Sequence, residues 1–302
     1  MAFHFKKEES PTRAVRRLSR ERIGRALEYL RQSGRLEAIH SVRKEIKKLR
    51  ATLGLVRGKM GENAYRKRVK TLRTAAKCLQ DPRDARVRPQ ALERLVESYR
   101  NRLPARPFAG IKKVLKQNCR AEVHEFGKGK SVTVVGRLLQ KIGRRAGDLK
   151  VKADGWTAIQ PGLQESYSQG RSAYELALKE SSPKNLHRWR KHVQDLWHQL
   201  RLLHPIQPES MRVAAGDMKR LSQYLGDDHD LVVLRQFVSR HCGRGYAREV
   251  KVLNRLMDLR QKELRSAAYD LGLRFFAENP SSFCRRLENY WRAWRAGGKS
   301  KG

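Results

Sequence analysis

The sequence lacks several features that would assign a protein to a membrane or an oxidising compartment. No apolar segment approaches the ~18 residues needed for a membrane-spanning helix. The four cysteines are scattered singly without Cys-x-x-Cys spacing, which argues against a disulfide scaffold or a zinc finger. Residues 1–9 contain no apolar signal-peptide core. These absences predict a soluble, cytoplasmic protein with reduced thiols and no membrane insertion.

Motifs typical of catalysis are also absent. The chain has no Gly-x-x-x-x-Gly-Lys-Ser/Thr loop, nucleophile elbow or His-Glu-x-x-His sequence. Asp227-Asp228-His229-Asp230 contains metal-ligand residue types, but four consecutive helical residues point in different directions and cannot converge on one ion. We interpret Asp230, and Asp84 earlier in the chain, as helix caps that orient neighbouring basic residues. We therefore expect no enzymatic activity, no metal and no cofactor.

Negative charge is scarce relative to positive charge. The chain has 30 Asp and Glu against 68 Lys and Arg, which gives a net charge of +38 over 302 residues. A compact domain with this excess repels itself, and a bound polyanion relieves the repulsion. Nucleic acid, an anionic membrane surface and polyphosphate are the candidate partners. Because 39% of the residues are hydrophobic, the chain can still bury a core.

Helical periodicity runs through nearly the whole sequence. Between Ile39 and Val56, apolar residues recur at steps of three and four, which is typical of an amphipathic helix in a bundle. An earlier helix is predicted from Pro11 to Leu30, with Ser10 as its N-cap and Ser33-Gly34 after its end. Further helices are predicted at Glu62–Leu79, Pro89–Tyr99, Ile111–Phe126, Val132–Leu149, Gly162–Lys179, Pro183–Leu203, Glu209–Leu225, Asp228–Cys242, Arg248–Leu271 and Ser281–Trp294. Short connections favour an all-α fold of antiparallel helical bundles.

Two segments of the chain recur in the same order. Ile39-His40-Ser-Val-Arg43-Lys44 matches Leu186-His187-Arg-Trp-Arg190-Lys191, which lies 147 residues later. The segment from Leu79 to Val87, which contains Asp84, matches the segment from Leu225 to Val233, which contains Asp230, 146 residues later. Nearly equal offsets indicate an internal repeat. We predict two copies of one bundle, at about 10–150 and about 151–296, followed by a short basic tail at 297–302.

Basic residues form a stripe beside the apolar seam of the helix that contains His40. At about 100° per residue, one set of side chains lies next to the seam and a second set extends onto the open face. These sets are His40, Arg43, Lys47 and Arg50, and then Lys44 and Lys48. The only acidic residue between Ile39 and Val56 is Glu45, so the stripe is not neutralised locally. Arginine forks and lysine charges spaced about 5 Å apart suit a flexible phosphate chain.

The second copy repeats this layout with fewer cations. His187, Arg190 and Lys191 share one side of the helix, and the corresponding apolar residues lie on the other. Gln194 and Asp195 stand where Lys47 and Lys48 stand in the first copy. We therefore expect the second stripe to contribute less to binding.

The two histidine helices resemble the signature helices of the CHAD family, the conserved histidine α-helical domain. Further landmarks agree over about residues 10–295. They are Gly162-Leu163 with Tyr167 and Gly170-Arg171, Leu225-Gly226 with Asp230, and Arg83-Asp84. Domains of this family are similar to paired four-helix bundles, and they bind polyphosphate through a basic channel between the halves. No Glu-x-Glu-x-Lys motif is present, so the resemblance implies no triphosphate hydrolysis.

The resemblance also implies a set of contact residues in this chain. The residues expected at the polyphosphate are His40, Arg43, Lys44, Lys47, Arg50, His187, Arg190, Lys191 and Arg171, with Arg17, Arg20 and Arg137 as further candidates. We expect non-catalytic binding of inorganic polyphosphate, and recruitment to polyphosphate granules in cells that make them. Nucleic-acid binding is the first alternative and requires exposed aromatic side chains or groove-reading residues. Docking onto acidic proteins is the second and requires an exposed apolar patch. The oligomeric state stays open.

Overall fold

The computed structural model describes residues 3–31, 36–128 and 130–297. These residues form helices and short turns and contain no strand, so the all-α prediction is confirmed. The helices are α1 Pro11–Arg31, α2 Leu36–Leu55, α3 Arg57–Met60, α4 Glu62–Cys78, α5 Gln80–Ser98, α6 Ala109–Lys128, α7 Ser131–Arg144, α8 Gln160–Lys179, α9 Pro183–Leu202, α10 Pro208–His241, α11 Ala247–Phe275 and α12 Pro280–Ala296. Ser33-Gly34 and residues 298–302 of the predicted tail lie outside the described residues.

Three helices begin with the same side-chain cap. Ser10, Ser182 and Asn279 each accept a hydrogen bond from the backbone N–H three residues later, at 3.3, 3.3 and 2.8 Å. Each is followed by a proline at the first helical position, where the missing N–H costs nothing and the fixed φ suits a helix. The predicted cap of α1 is confirmed. These caps set the starts of α1, α9 and α12.

The predicted break near Asp228 is wrong, because α10 runs without interruption from Pro208 to His241. Asp230 is therefore a residue of the helix interior rather than a cap. The equivalent segment of the first copy does break, between α4 and α5 at Leu79. Pro82 follows three residues later, and a proline cannot continue the hydrogen bonds of the preceding helix. α5 accordingly begins well before the predicted start at Pro89, and α7 ends at Arg144 rather than at Leu149.

The two histidine helices, α2 and α9, pack against each other at the centre of the molecule. α1 covers α2 and α8 covers α9, while α4 packs on α2 and α10 on α9. Both histidine helices bury the apolar seams predicted from the sequence, including Val42 and Leu49 of α2 and Trp189 and Val193 of α9. The basic stripes beside these seams are thereby brought toward one another.

A second hydrophobic core lies apart from the first. It is built where α5 and α6 pack against α10 and α11, and it includes Leu92 and Ile111 from the first copy and Leu234 and Met257 from the second. Both cores contain residues of both copies. The repeats are consequently joined through shared cores as well as through the chain. No described helix is long and apolar enough to cross a membrane.

Candidate functional site

A cavity of about 400 Å³ lies between the two histidine helices, and we call it the central cavity. Side chains of α2, α4, α5, α9 and α10 form its walls. Its cations are Arg43, Lys47, Arg50, Arg73, Lys77, Arg83, Arg190 and Lys191. Asp84 is the one carboxylate among the described residues that line it, and His187, His229 and Gln194 complete the polar surface. Eight cations face one carboxylate, so the cavity is strongly positive.

Helical spacing explains why these cations share one surface. Arg43, Lys47 and Arg50 follow one another at steps of four and three, which places them on one face of α2. His187, Arg190 and Lys191 occupy the equivalent face of α9. The structure therefore brings together six of the residues predicted from the sequence.

Lys47 of α2 is one of the cations that line the cavity. Its half-buried ammonium group forms no ion pair within the described residues. Burial, and then the charges of Arg190, Arg43, Arg83 and Arg50, lower the pKa of Lys47 well below its ordinary value. The cavity thus resists full protonation when no anion is present.

Two arginines of the cavity, Arg43 and Arg190, also have lowered pKa values. Burial, followed by the charge of Arg83, lowers the pKa of Arg43 to about 10, and its Nη1 donates to the carbonyl oxygen of Ala76 at 2.5 Å. Burial also lowers the pKa of Arg190, whose buried Nε has no hydrogen-bond partner. An oxyanion in the cavity would accept from these donors and offset the repulsion.

Aspartate side chains hold two of the cavity's arginines in place. Asp195 on α9 accepts two hydrogen bonds from Arg50 of α2, at 2.7 and 3.1 Å, and the Asp195 charge raises the pKa of Arg50. Arg83 donates to Asp84 and to Asp230 of α10, both at 2.8 Å. Burial alone would lower the pKa of Arg83, but the two aspartates raise it. Asp230 therefore orients a basic residue of the neighbouring helix, although it caps nothing.

Two histidines stack inside the cavity, one from α9 and one from α10. The ring centroids of His187 and His229 are 4.5 Å apart. Burial, and then nearby cations such as Lys191 and Arg190, lower the pKa of His187 to about 4 and that of His229 to about 2. Both rings are neutral near pH 7, and the buried Nδ1 of His187 has no partner. Each neutral ring can donate one N–H to an oxyanion.

The structure corrects the predicted position of Lys48. The sequence places this residue on the open face of α2, but its side chain is buried and donates to Glu45 at 2.6 Å. Glu45 also accepts from Arg22 of α1 at 3.1 Å. α1 packs over this side of α2, so Lys48 points away from the central cavity and is neutralised locally.

Four other predicted contacts also lie outside the central cavity. Arg17 forms an ion pair with Glu9 at 2.7 Å, and Arg171 pairs with a glutamate one turn along α8 at 3.1 Å. Arg20 is exposed on α1, and Arg137 lines a separate basic depression on α7. The remaining two, His40 and Lys44, are exposed on α2 and do not line the cavity either.

Several cavity residues were not predicted as contacts. Arg73 and Lys77 stand one turn apart on α4 and form a basic pair beside the buried Leu72. The same helical-wheel reasoning finds this pair, but nothing in the local sequence shows that it faces α2. The sequence marks Arg83 only as part of a family landmark. His229 lies in the segment that its residue types led us to interpret as a helix cap.

Asp228 and Asp230 of the acidic segment of α10 have different partners. Asp228 accepts from Arg265 at 2.7 Å and from Gln261 at 3.1 Å, whereas Asp230 accepts from Arg83. His229 turns toward the other histidine ring. Within the described ranges, no group of three or more His, Cys, Asp or Glu residues is placed to hold a metal ion.

Comparison with known proteins agrees with this architecture. The CHAD domain family matches the chain over residues 13–239. The crystal structure of the CHAD domain from the plant Ricinus communis has a TM-score of 0.69 and 17% sequence identity, covering 92% of this chain and 95% of that chain. At this identity the likeness concerns the fold. No curated protein matches the sequence. The family match, which spans most of the chain and includes both histidine helices, shows that this protein belongs to the CHAD domain family.

Proposed function

We propose that this protein binds inorganic polyphosphate in the central cavity and does not modify it. The observation that carries the proposal is the accumulation of eight cations against one carboxylate in a space of about 400 Å³. Arginine forks can take phosphate oxygens in pairs, and lysine adds compact charge. The lowered pKa values of Lys47, Arg43 and Arg190 indicate that an anion would relieve an existing strain.

A chain of phosphates suits the cavity better than a single phosphate. The cations come from four helices, and the exposed residues Lys44 and Lys191 continue the basic surface beyond the enclosed space. Only a linked polyanion engages these positions at once, and each further contact is then intramolecular. Binding without catalysis is supported by the state of Asp84, which already accepts from Arg83 at 2.8 Å.

Nucleic acid is the second candidate, and the aromatic side chains disfavour its single-stranded form. All the Phe, Tyr and Trp residues that the structure describes are buried or half-buried, and Trp189 is fully buried. Base stacking on aromatic platforms supplies much of the affinity for single strands. A backbone contact to duplex DNA needs only charge, so the binding experiment includes it.

Calorimetry near physiological salt tests the proposal. We expect long-chain polyphosphate to bind at least about 100-fold more tightly than pyrophosphate, because only the chain reaches many cations. Single-stranded and double-stranded DNA serve as competitors of matched phosphate content. Equal affinity for pyrophosphate and long chains, or preferential binding of DNA, would reject polyphosphate as the ligand.

The proposal extends to the cell. A protein that holds polyphosphate gathers where that polymer accumulates, so we expect a fluorescent fusion to concentrate on polyphosphate granules in cells that make them. A fusion that stays diffuse in a granule-rich cell contradicts this localisation.

A further inference from the structure

A second and larger concavity lies between α5 and α6, with a volume of about 930 Å³, and we call it the α5–α6 groove. It shares no lining residue with the central cavity. Leu115, Cys119 and Val123 of α6 and Pro89 of α5 give it an apolar floor. Leu115 is buried beneath this floor, and Cys119, Val123 and Pro89 are half-buried, so their apolar side chains are partly accessible from the groove.

Two parallel ridges on α6 define one side of the groove. Leu115, Cys119 and Val123 follow one another at steps of four, and Lys112, Lys116 and Arg120 follow one residue out of phase at the same step. Residues four apart lie above one another on a helix. From Lys112 to Val123, the two ridges together extend over about 17 Å, or about three turns.

The cations of this rim are available to a partner. Lys112, Lys116 and Arg120 are exposed, and none forms an ion pair with another described residue. On the opposite wall, Arg86 is paired with Glu37 at 3.0 Å. The groove therefore combines an apolar floor with a basic edge of three unpaired cations on α6, against a single unpaired carboxylate among its described residues, Glu93 on α5. Polyphosphate has no apolar surface to cover such a floor, so this site calls for a different ligand.

We propose that the α5–α6 groove binds an acidic amphipathic helix of a partner protein. The apolar stripe of that helix covers the half-buried side chains of Cys119, Val123 and Pro89, and its Asp and Glu residues meet Lys112, Lys116 and Arg120. Helices commonly bind in this way, with apolar anchors at steps of three and four in a hydrophobic groove. Complementary charge at the rim selects an acidic partner and fixes the direction of the helix.

A designed peptide tests the proposal on the full-length protein. The peptide has about 18 residues, leucines on one helical face and glutamates beside them; a permuted peptide of the same composition has no apolar face. We expect the first peptide to bind and to slow alkylation of Cys119, while Cys78, which is also half-buried but lies outside the groove, is unaffected. Equal binding of the permuted peptide would show simple charge attraction and overturn the proposal.

Charge-reversal variants locate the site. Lys116→Glu with Arg120→Glu should weaken peptide binding at least about tenfold, because like charges then face each other. Lys113→Glu with Lys251→Glu changes the net charge equally at exposed positions outside the groove and should leave binding unchanged. Loss of peptide binding in a central-cavity variant, or binding of anionic phospholipid vesicles rather than the peptide at this groove, overturns the inference.

Discussion

The two copies of the repeat contribute to the central cavity in different ways. The first copy supplies six of the eight cations, and the second supplies Arg190 and Lys191. The second copy also supplies Asp195 and Asp230, which hold Arg50 and Arg83 of the first. Both copies place a histidine helix at the cavity, but the side chains at equivalent positions of the two helices differ. One copy carries most of the charge, and the other positions part of it.

Equivalent positions on the two histidine helices show this divergence directly. Lys47 is unpaired in the cavity, whereas its counterpart Gln194 is neutral. Lys48 pairs with Glu45 on its own helix, whereas its counterpart Asp195 pairs across the interface. The second stripe is weaker in charge, as predicted from the sequence. Its acidic residue nevertheless has a structural role that the first stripe lacks.

The largest effect on polyphosphate affinity is expected when two cavity cations are removed from each copy in turn. Arg43→Ala with Lys47→Ala removes two half-buried cations, whereas Arg190→Ala with Lys191→Ala removes one half-buried and one exposed cation. We expect the first pair to lower polyphosphate affinity about 100-fold and the second about tenfold, with flatter dependence of log K on log salt in both. Salt-titrated binding measures this difference, and equal losses would refute the asymmetry.

Restoring the missing cation should partly equalise the copies. Gln194→Lys adds a ninth cation to the cavity, and we expect it to raise polyphosphate affinity between about threefold and tenfold. The unliganded protein should become less stable, because the new charge adds to the repulsion around Lys47. Gln236→Lys, at an exposed position of α10 outside the cavity, is the control for net charge. A variant with unchanged affinity shows that Gln194 does not reach the ligand.

The histidine pair should make the stability of the unliganded protein depend on pH. The folded-state pKa values of His187 and His229, about 4 and about 2, lie below the unfolded value of about 6.5. Below that pH the unfolded chain takes up protons that the folded cavity resists, so stability is lost as the pH falls. At about pH 5, the loss is at most about 2 kcal/mol for each histidine.

Denaturant unfolding at about pH 7.5 and about pH 5 measures this dependence. We expect His187→Gln with His229→Gln to reduce the loss of stability on acidification, while the other titrating groups remain the same in both proteins. An unchanged pH dependence in the double variant rules out the histidine pair as its source.

The smallest effect is expected for predicted contacts that the structure places elsewhere. Arg20→Ala, Arg137→Ala and Arg171→Ala each remove one formal charge without altering the central cavity. We expect polyphosphate affinity to change less than about twofold in each case, because counterion release at the site is unaffected. A loss comparable with that of the single variant Arg43→Ala would show that the polymer leaves the cavity and follows the outer surface.

The helices and their basic faces could be predicted from the sequence because the relevant interactions are local. Steps of three and four in α2 and α9 identify both the apolar seam and the cations beside it. Six of the residues predicted in this way line the cavity. The helix caps at Ser10 and Ser182 are local as well, because each accepts a hydrogen bond from a residue only three positions away. The repeat is likewise visible as two segments at nearly equal offset.

Only the tertiary structure decided which helix faces meet. Lys48 and Lys47 are adjacent in sequence, yet α1 covers the first while the second points into the cavity. Arg73 and Lys77 are cavity residues because α4 packs on α2, and α10 continues without a break through Gly226, which lies beside Arg190. These outcomes depend on contacts between residues far apart in the chain. Local spacing determines the charge on each face of a helix, and packing determines which faces enclose the central cavity.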